Sequence, residues 1–157
     1  MTINAVVLGA GMVGSVIAED LAASDFTVTI ADIDHSSLAR ISERSNQKIS
    51  IAEIDCSDSA AIATLIRDAD IVFGALPSWL GLNALETVIK SGKSYCDVSF
   101  MEEDPRNLHE LAVEHQVTCI VDFGVAPGMS RLLCAVANEM LDVCTRLDII
   151  VGGLPVE

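Results

Sequence analysis

The sequence predicts an α/β fold in which helices cover both faces of a doubly wound parallel sheet. Strand-like and helix-like runs alternate along the chain, which is typical of this class. The run VVLGAGMVG at residues 6–14 passes from apolar residues into three glycines, and Asp32 ends the next strand-like run about twenty residues later. Together these observations favour a sheet of the Rossmann type.

The predicted elements follow this alternation in order. Strands are expected at 3–8, 26–31, 48–54, 70–76, 94–98 and 117–122, and helices at 12–23, 36–44, 57–67, 80–90 and 107–115. Ser57 is expected to cap the third helix, Pro77 to stop the fourth strand, and Gly92 to follow the fourth helix. A loop rich in Gly and Pro then leads into a helix at 130–141 and a strand at 146–151. We expect a Rossmann domain over 1–123 and the start of a substrate or catalytic domain over 124–157.

The three glycines indicate a dinucleotide site. Gly9 permits a sharp turn, Gly11 lets the backbone approach a pyrophosphate, and Gly14 lets the helix pack closely on the sheet. The pyrophosphate would lie at the N-terminus of the first helix. The alternative is a tight turn without a ligand. The residues expected to contact the cofactor are Gly9, Ala10, Gly11, Met12, Val13, Asp32, Ile33, Asp55, Cys56, Ala75, Leu76 and Pro77.

The acidic residues after the second strand favour NAD over NADP. Asp32 would accept hydrogen bonds from the adenosine ribose hydroxyls, and Asp34 adds a second negative charge. The first basic residue that follows is Arg40. A 2′-phosphate would therefore be repelled.

Composition excludes several classes of partner. A net charge of −14 argues against nucleic acid and disfavours anionic membrane surfaces. The N-terminus lacks a basic region, and no run of 18 apolar residues occurs, so neither a signal peptide nor a membrane span is expected. The five cysteines form no CxxC pair, which favours buried thiols in a reducing cytoplasm and no metal site.

Several motifs resemble the saccharopine dehydrogenase family, and within it the lysine 6-dehydrogenases. They are VVLGAGMVG at 6–14, DIVFGALP at 70–77, SYCDVSF at 94–100, DFGVAPGMSRLL at 122–133 and VGGLP at 151–155. The resemblance implies a nicotinamide cofactor, an amino acid substrate in lysine metabolism, and oxidation of its amine to an imine by hydride transfer. It also implies a larger second domain, of which this sequence carries only the beginning.

That reaction requires an uncharged amine, so either a base, such as an ionised carboxylate, or a desolvated pocket must remove its proton. Asp97 and Asp122 lie at the carboxyl ends of the fifth and sixth strands, on the expected nicotinamide side. Each could instead cap a helix or bond loop amides. The free N–H groups of the helix opened by residues 127–129 could hold a substrate carboxylate, although an ordinary loop connection is the alternative.

Other conspicuous side chains have simpler roles. Trp79 could wall the nicotinamide cleft or serve packing alone, and Tyr95 is expected in the core. The three histidines, His35, His109 and His115, are expected at the surface.

Two other functions compete with the dehydrogenase. A nucleotide-sensing module of a potassium channel or transporter shares the glycine motif and the acids after the second strand, but it needs neither Asp97 nor the loop after Asp122. The other alternative is a protein that binds the cofactor but has no activity. We also expect association into a homo-oligomer, because the apolar strand at 146–151 would expose an unpaired edge unless it packs back or pairs with a second molecule.

Overall fold

The computed structural model describes residues 2–152, and six parallel strands form one sheet within this part. The strands are β1 (Asn4–Leu8), β2 (Thr27–Asp32), β3 (Ser50–Glu53), β4 (Ile71–Gly74), β5 (Ser94–Asp97) and β6 (Cys119–Ile120). The helices are α1 (Met12–Ala23), α2 (His35–Arg44), α3 (Ser59–Leu65), α4 (Ser78–Lys90), α5 (His109–Glu114) and α6 (Met129–Glu139), and a 3₁₀ turn at Pro105–Leu108 precedes α5.

The strand order is β3-β2-β1-β4-β5-β6, which confirms the predicted doubly wound sheet. The chain runs outward from β1 to β3, then returns to the other side of β1 and runs outward again to β6. The order therefore reverses between β1 and β4, where Leu8 is paired with Gly74. In such sheets a crevice for a ligand lies outside the carboxyl ends of the strands at this reversal point.

Apolar clusters cover both faces of the sheet because residues along a strand alternate in direction. In β1, Val6 and Leu8 pack in one cluster with Val72, Leu85 and Tyr95. Val7 packs in the other, whose remaining buried members are Ala10, Ala18, Val28, Ile30, Leu38, Ile41 and Ile49. Burial on both faces of the sheet holds the end of β1 in place. It also fixes the start of the turn at residues 9–11, which we call the glycine turn.

An aspartate begins three of the helical segments. Asp34, Asp58 and Asp104 each accept a hydrogen bond from the backbone N–H two residues later. The prediction that Ser57 caps the third helix was wrong: the cap of α3 is Asp58, whose carboxylate lies 2.8 Å from the backbone nitrogen of Ala60. The neighbouring Ser57 N–H is bonded to Asp55 instead.

The predicted strand at 146–151 is wrong over the described residues. This segment has neither helix nor strand structure, and residues 135–152 are all exposed. The sequence has strong β propensity there, but no strand of residues 2–152 lies alongside to complete a ladder. The helix predicted at 130–141 forms as α6, although none of its residues is buried. The VGGLP motif at 151–155 lies partly outside the described residues.

None of the helices in residues 2–152 combines the length and the apolar character needed to cross a bilayer.

Candidate functional site

A cavity of about 430 Å³, here called the β1–β4 cavity, lies at the reversal point of the sheet, where β1 and β4 end. Nine of the residues predicted to contact a cofactor surround it: Gly9, Gly11, Asp32, Ile33, Asp55, Cys56, Ala75, Leu76 and Pro77. Ala10 and Met12 line a neighbouring cavity together with Gly11, and Val13 is exposed and lines neither. Residues from four separate chain segments are therefore brought together as expected.

The glycine turn leaves space on the cavity side and none on the sheet side. Gly9 has a φ of +101°, and a Cβ there would lie 2.5 Å from the carbonyl oxygen of Ala75. A Cβ at Gly14 would collide with the carbonyl oxygen of Gly9, whereas one at Gly11 would meet nothing within 4 Å. The backbone at Gly11 is thus open to a ligand, and a side chain would occupy this space.

The Asp32 carboxylate holds the glycine turn. Its Oδ2 accepts a hydrogen bond from the backbone nitrogen of Ala10 at 2.6 Å, and its Oδ1 accepts one from that of Asp34 at 2.9 Å. A carboxylate can accept about four hydrogen bonds, so two acceptor positions remain for ligand hydroxyls. The sequence identified Asp32 as a ligand-binding residue but not as a hydrogen-bond acceptor for the glycine turn. That second role depends on how closely the ends of β1 and β2 approach each other.

The Asp34 carboxylate is occupied by α2. It accepts hydrogen bonds from the Ser37 hydroxyl at 2.7 Å and from the Ser36 hydroxyl and N–H at 2.8 and 3.0 Å. These contacts, with Ser37 contributing most, lower the pKa of Asp34 to about 2. Asp34 is thus ionised at neutral pH, but its carboxylate oxygens already accept hydrogen bonds from the first turn of α2.

Two arginines of α2 lie closer to the glycine turn than their sequence distance indicates. Arg40 and Arg44 line the neighbouring cavity of about 340 Å³ together with Gly11 and Ser37. The Arg40 Nη2 donates to the Ser37 hydroxyl at 2.8 Å, and the Arg44 Nη2 donates to the Glu19 carboxylate at 2.6 Å. Arg40, the first basic residue after Asp34 in the sequence, therefore lines a cavity beside the glycine turn.

The two predicted acids, Asp97 at the end of β5 and Asp122 after β6, are brought together. Asp97 is completely buried, and its Oδ1 accepts a hydrogen bond from the Ser99 N–H at 2.8 Å. Burial raises the pKa of Asp97, and the nearby Asp122 carboxylate raises it further. One Asp97 oxygen therefore accepts a hydrogen bond from a loop amide, which is the alternative role expected for this residue.

Three buried oxygens of this region have no hydrogen-bond partner among the described residues. They are the Tyr95 hydroxyl, Asp97 Oδ2 and Asp122 Oδ1. Tyr95 is buried in the core as predicted, and its hydroxyl and the Asp97 carboxylate both lie beside the position that a Gly74 side chain would occupy. The sequence singled out both acids, but it contained no signal that Tyr95 would join them.

Asp122 also borders a separate, larger cavity of about 850 Å³. This outer cavity lies between the segment 102–106, the end of β6 and the first turns of α6. Asp97 does not line it. Of the two predicted acids, Asp122 is therefore the one with access to a ligand there.

The prediction of free N–H groups at the start of α6 was wrong. The Met129 nitrogen donates to the Gly124 carbonyl at 2.8 Å, and the Ser130 nitrogen donates to the Val125 carbonyl at 3.0 Å. The Arg131 and Leu132 nitrogens both donate to the Gly128 carbonyl. The preceding loop thus closes on its own helix, which leaves these groups unavailable to a carboxylate.

The remaining predicted side chains divide between surface and cavity. Trp79 is 75% exposed at the edge of the β1–β4 cavity, so packing alone does not account for it. The exposed His35 ring lies 3.0 Å from the Glu53 carboxylate.

Of the five cysteines, Cys56 alone is buried, so the expectation of buried thiols was wrong for the others.

Comparison with known proteins assigns the chain to a family. Residues 5–120 match the saccharopine dehydrogenase NADP binding domain. Saccharopine dehydrogenase [NADP(+), L-glutamate-forming] from Schizosaccharomyces pombe is 27% identical over 79 residues, which are 50% of this chain and 18% of that protein. The chain thus spans less than a fifth of the length of this relative.

Solved structures agree on the fold. Apo saccharopine dehydrogenase (L-Glu forming) from Saccharomyces cerevisiae superposes with a TM-score of 0.79 and 22% identity, covering 88% of this chain and 31% of that one. The TrkA-N domain of an Escherichia coli inner membrane protein gives a TM-score of 0.58 and 16% identity, covering 90% and 98%. At such identities the likeness concerns the fold alone and does not favour a sensor. The match over residues 5–120 covers most of the chain, and the chain belongs to the saccharopine dehydrogenase family.

Proposed function

We propose that this chain is the cofactor-binding part of an NAD-dependent amino acid dehydrogenase that oxidises an amine to an imine. The observation that carries the proposal is the β1–β4 cavity, where Gly11 offers open backbone and Asp32 keeps acceptor positions for ribose hydroxyls. The glycine turn fits a pyrophosphate, because a side chain at Gly11 would fill the space it requires. The division into a cofactor domain over 1–123 and the start of a substrate domain over 124–157 is part of this proposal.

A bound nicotinamide would supply the hydride acceptor, and the chain's own acids would handle the proton. The amine carbon loses a hydride and the amine nitrogen loses a proton, which yields an imine and the reduced cofactor. We assign the proton acceptor to Asp122, because it borders the outer cavity. Asp97 is completely buried and would act as a positioning residue behind it.

Fluorescence of Trp79 tests the cofactor site directly. It is the only tryptophan of the chain and lies at the edge of the β1–β4 cavity. Titration with NADH should quench its emission in a saturable manner, and Asp122→Asn should leave this quenching unchanged. In a catalytically competent form of the protein, the same substitution should lower kcat by about 100-fold or more. Absence of saturable binding would contradict the proposal at its first step.

The preference for NAD rests on negative charge beside the ribose position. Asp32 would face a 2′-phosphate at short range, and repulsion should weaken NADP binding by roughly tenfold or more relative to NAD. Calorimetric titration with both cofactors measures the ratio, and Asp32→Asn should reduce it. Equal affinities in the unaltered protein, or tighter binding of NADP, would contradict this preference.

NADP is the second candidate, and Arg40 and Arg44 favour it. Both line the cavity beside Gly11, and Ser37 adds a hydroxyl. The name of the matched family domain and the name of the Schizosaccharomyces pombe relative both specify NADP. If a 2′-phosphate binds there, Arg40→Ala should weaken NADP by about tenfold without affecting NAD. For an NAD site this substitution should leave both affinities nearly equal to those of the unaltered protein.

A further inference from the structure

We infer that the outer cavity binds an amino acid zwitterion, with the substrate carboxylate held by the Arg131 side chain and the amine held near Asp122. This inference rests on the proposed function and specifies its substrate site. It replaces the helix N-terminus, whose N–H groups are bonded to the preceding loop, as the carboxylate partner.

Charge in the outer cavity is mixed rather than uniformly acidic. Its charged residues are Glu102, Glu103, Asp104, Asp122, Arg106 and Arg131. A ligand with one charge of each sign can therefore find opposite partners there. At about 850 Å³ the cavity is within the usual size range of small-molecule sites.

Only one of the two cavity arginines already has a carboxylate partner in the described residues. The Arg106 Nη2 lies 2.7 Å from Asp104 Oδ2, and its Nε lies 2.9 Å from Asp104 Oδ1. This pairing raises the pKa of Arg106 and lowers that of Asp104 to about 2. Arg131 forms none of the ion pairs found within residues 2–152. Its planar group keeps its donors available for a two-point contact with a carboxylate.

Arg131, on α6, and Asp122 line the cavity from different chain segments. Gly128, Leu132 and Ala135 of the same loop and helix also line the cavity, while Asp122 belongs to the segment after β6. Val121, Phe123 and Leu132 provide apolar wall. Such a wall suits the methylene groups between or beside the two charged ends of an amino acid.

Calorimetric titration with L-lysine, L-glutamate and 1,5-diaminopentane tests the inference, with NAD present and absent. The diamine resembles lysine but lacks the carboxylate. The unaltered protein should bind at least one of the amino acids. Arg131→Ala should weaken that binding by about 10- to 100-fold and leave the diamine affinity unchanged. Arg131→Lys should recover part of the loss, because it restores the charge without the planar fork.

Arg106→Ala is the matched control. It removes the same charge from the same cavity, but the arginine it removes is already paired with Asp104. Its effect on amino acid affinity should stay below about threefold. Equal losses in the two alanine variants would show only a general effect of charge and would overturn the assignment of Arg131.

The remaining outcomes separate the inference from the proposed function. Binding of NAD without binding of either amino acid, or amino acid affinity unchanged by Arg131→Ala, overturns the inference alone. Failure to bind NAD or NADP overturns the proposed function, and the titrations without cofactor still report whether Arg131 holds a carboxylate.

Discussion

The three glycines of the first turn have different surroundings, although the sequence pattern treats them as one motif. At Gly14 the obstacle to a side chain is backbone, which cannot move aside as a flexible side chain would. At Gly11 the φ is −68° and the space is open, so alanine is compatible with the fold. The motif thus combines positions required by packing with one left open to a ligand.

Alanine substitutions should separate these two requirements. Gly14→Ala should lower the free energy of unfolding by about 1–3 kcal/mol, because it overpacks the contact between α1 and the end of β1. Gly11→Ala should change it by less than about 0.5 kcal/mol while weakening cofactor binding. Urea unfolding and Trp79 fluorescence measure the two effects. Gly92→Ala, at a positive φ with open space, gives the cost of backbone strain alone. A Gly11→Ala variant that is destabilised but still binds the cofactor would contradict the assignment of Gly11 to ligand binding.

The buried Asp97 should make stability depend on pH. Its folded-state pKa is raised above the ordinary value of 3.8, so the unfolded chain ionises first and the folded state loses stability as pH rises through that interval. Asp97→Asn removes this loss and retains an acceptor for the Ser99 N–H. The stability difference in favour of the variant should therefore be greater near pH 7 than below the ordinary pKa. Urea unfolding at both pH values measures it, and a difference independent of pH would contradict the argument.

At the scale of elements, a substitution pair tests the start of α3. Asp58→Ala should lower the free energy of unfolding by about 1 kcal/mol, because the Ala60 N–H loses its acceptor. Asp58→Ser should recover most of this, since serine is also a good N-cap. Ser57→Ala is the control and should cost less than about 0.5 kcal/mol. Thermal or urea unfolding decides between the two caps, and a greater loss for Ser57→Ala would restore the sequence-based assignment.

Most elements could be predicted from the sequence, and the differences have local causes. The strands predicted at 48–54 and 117–122 shorten to Ser50–Glu53 and Cys119–Ile120. Both are edge strands in the described sheet, with a partner on one side only, so pairing stops sooner than the apolar run does. The predicted helix at 107–115 divides into a 3₁₀ turn and α5, because Asp104 caps the chain earlier.

The β1–β4 cavity was more predictable than the outer cavity for a topological reason. Its lining follows directly after strands β1 to β4, and parallel strands bring their carboxyl ends to one edge. Arg40 reaches the glycine turn only through the packing of α2. Arg131 meets the segment 102–106 only through the loop before α6. Such contacts between distant segments leave no periodic signal in the sequence.

For the whole molecule, the distribution of apolar surface contrasts with the net charge of −14. Large apolar side chains of the last described segment are exposed, among them Leu147, Ile149, Ile150 and Val151 at 48%, 44%, 96% and 58%. The α6 helix adds Leu132, Leu133 and Val136. Exposed apolar side chains in this number favour association, while like charge on each molecule opposes it.

The chain should therefore self-associate, and more strongly as salt screens the repulsion between acidic molecules. Of the two routes expected from the sequence, packing back onto the core is not the one adopted by residues 135–152, which are exposed. Pairing with a second molecule stays as the prediction. Light scattering on the 157-residue chain should give a mass above that of a monomer, increasing with ionic strength. A version ending at Asp142 keeps α6 but loses the apolar segment, and it should associate less. Monodisperse monomers in both cases at high salt would contradict the argument.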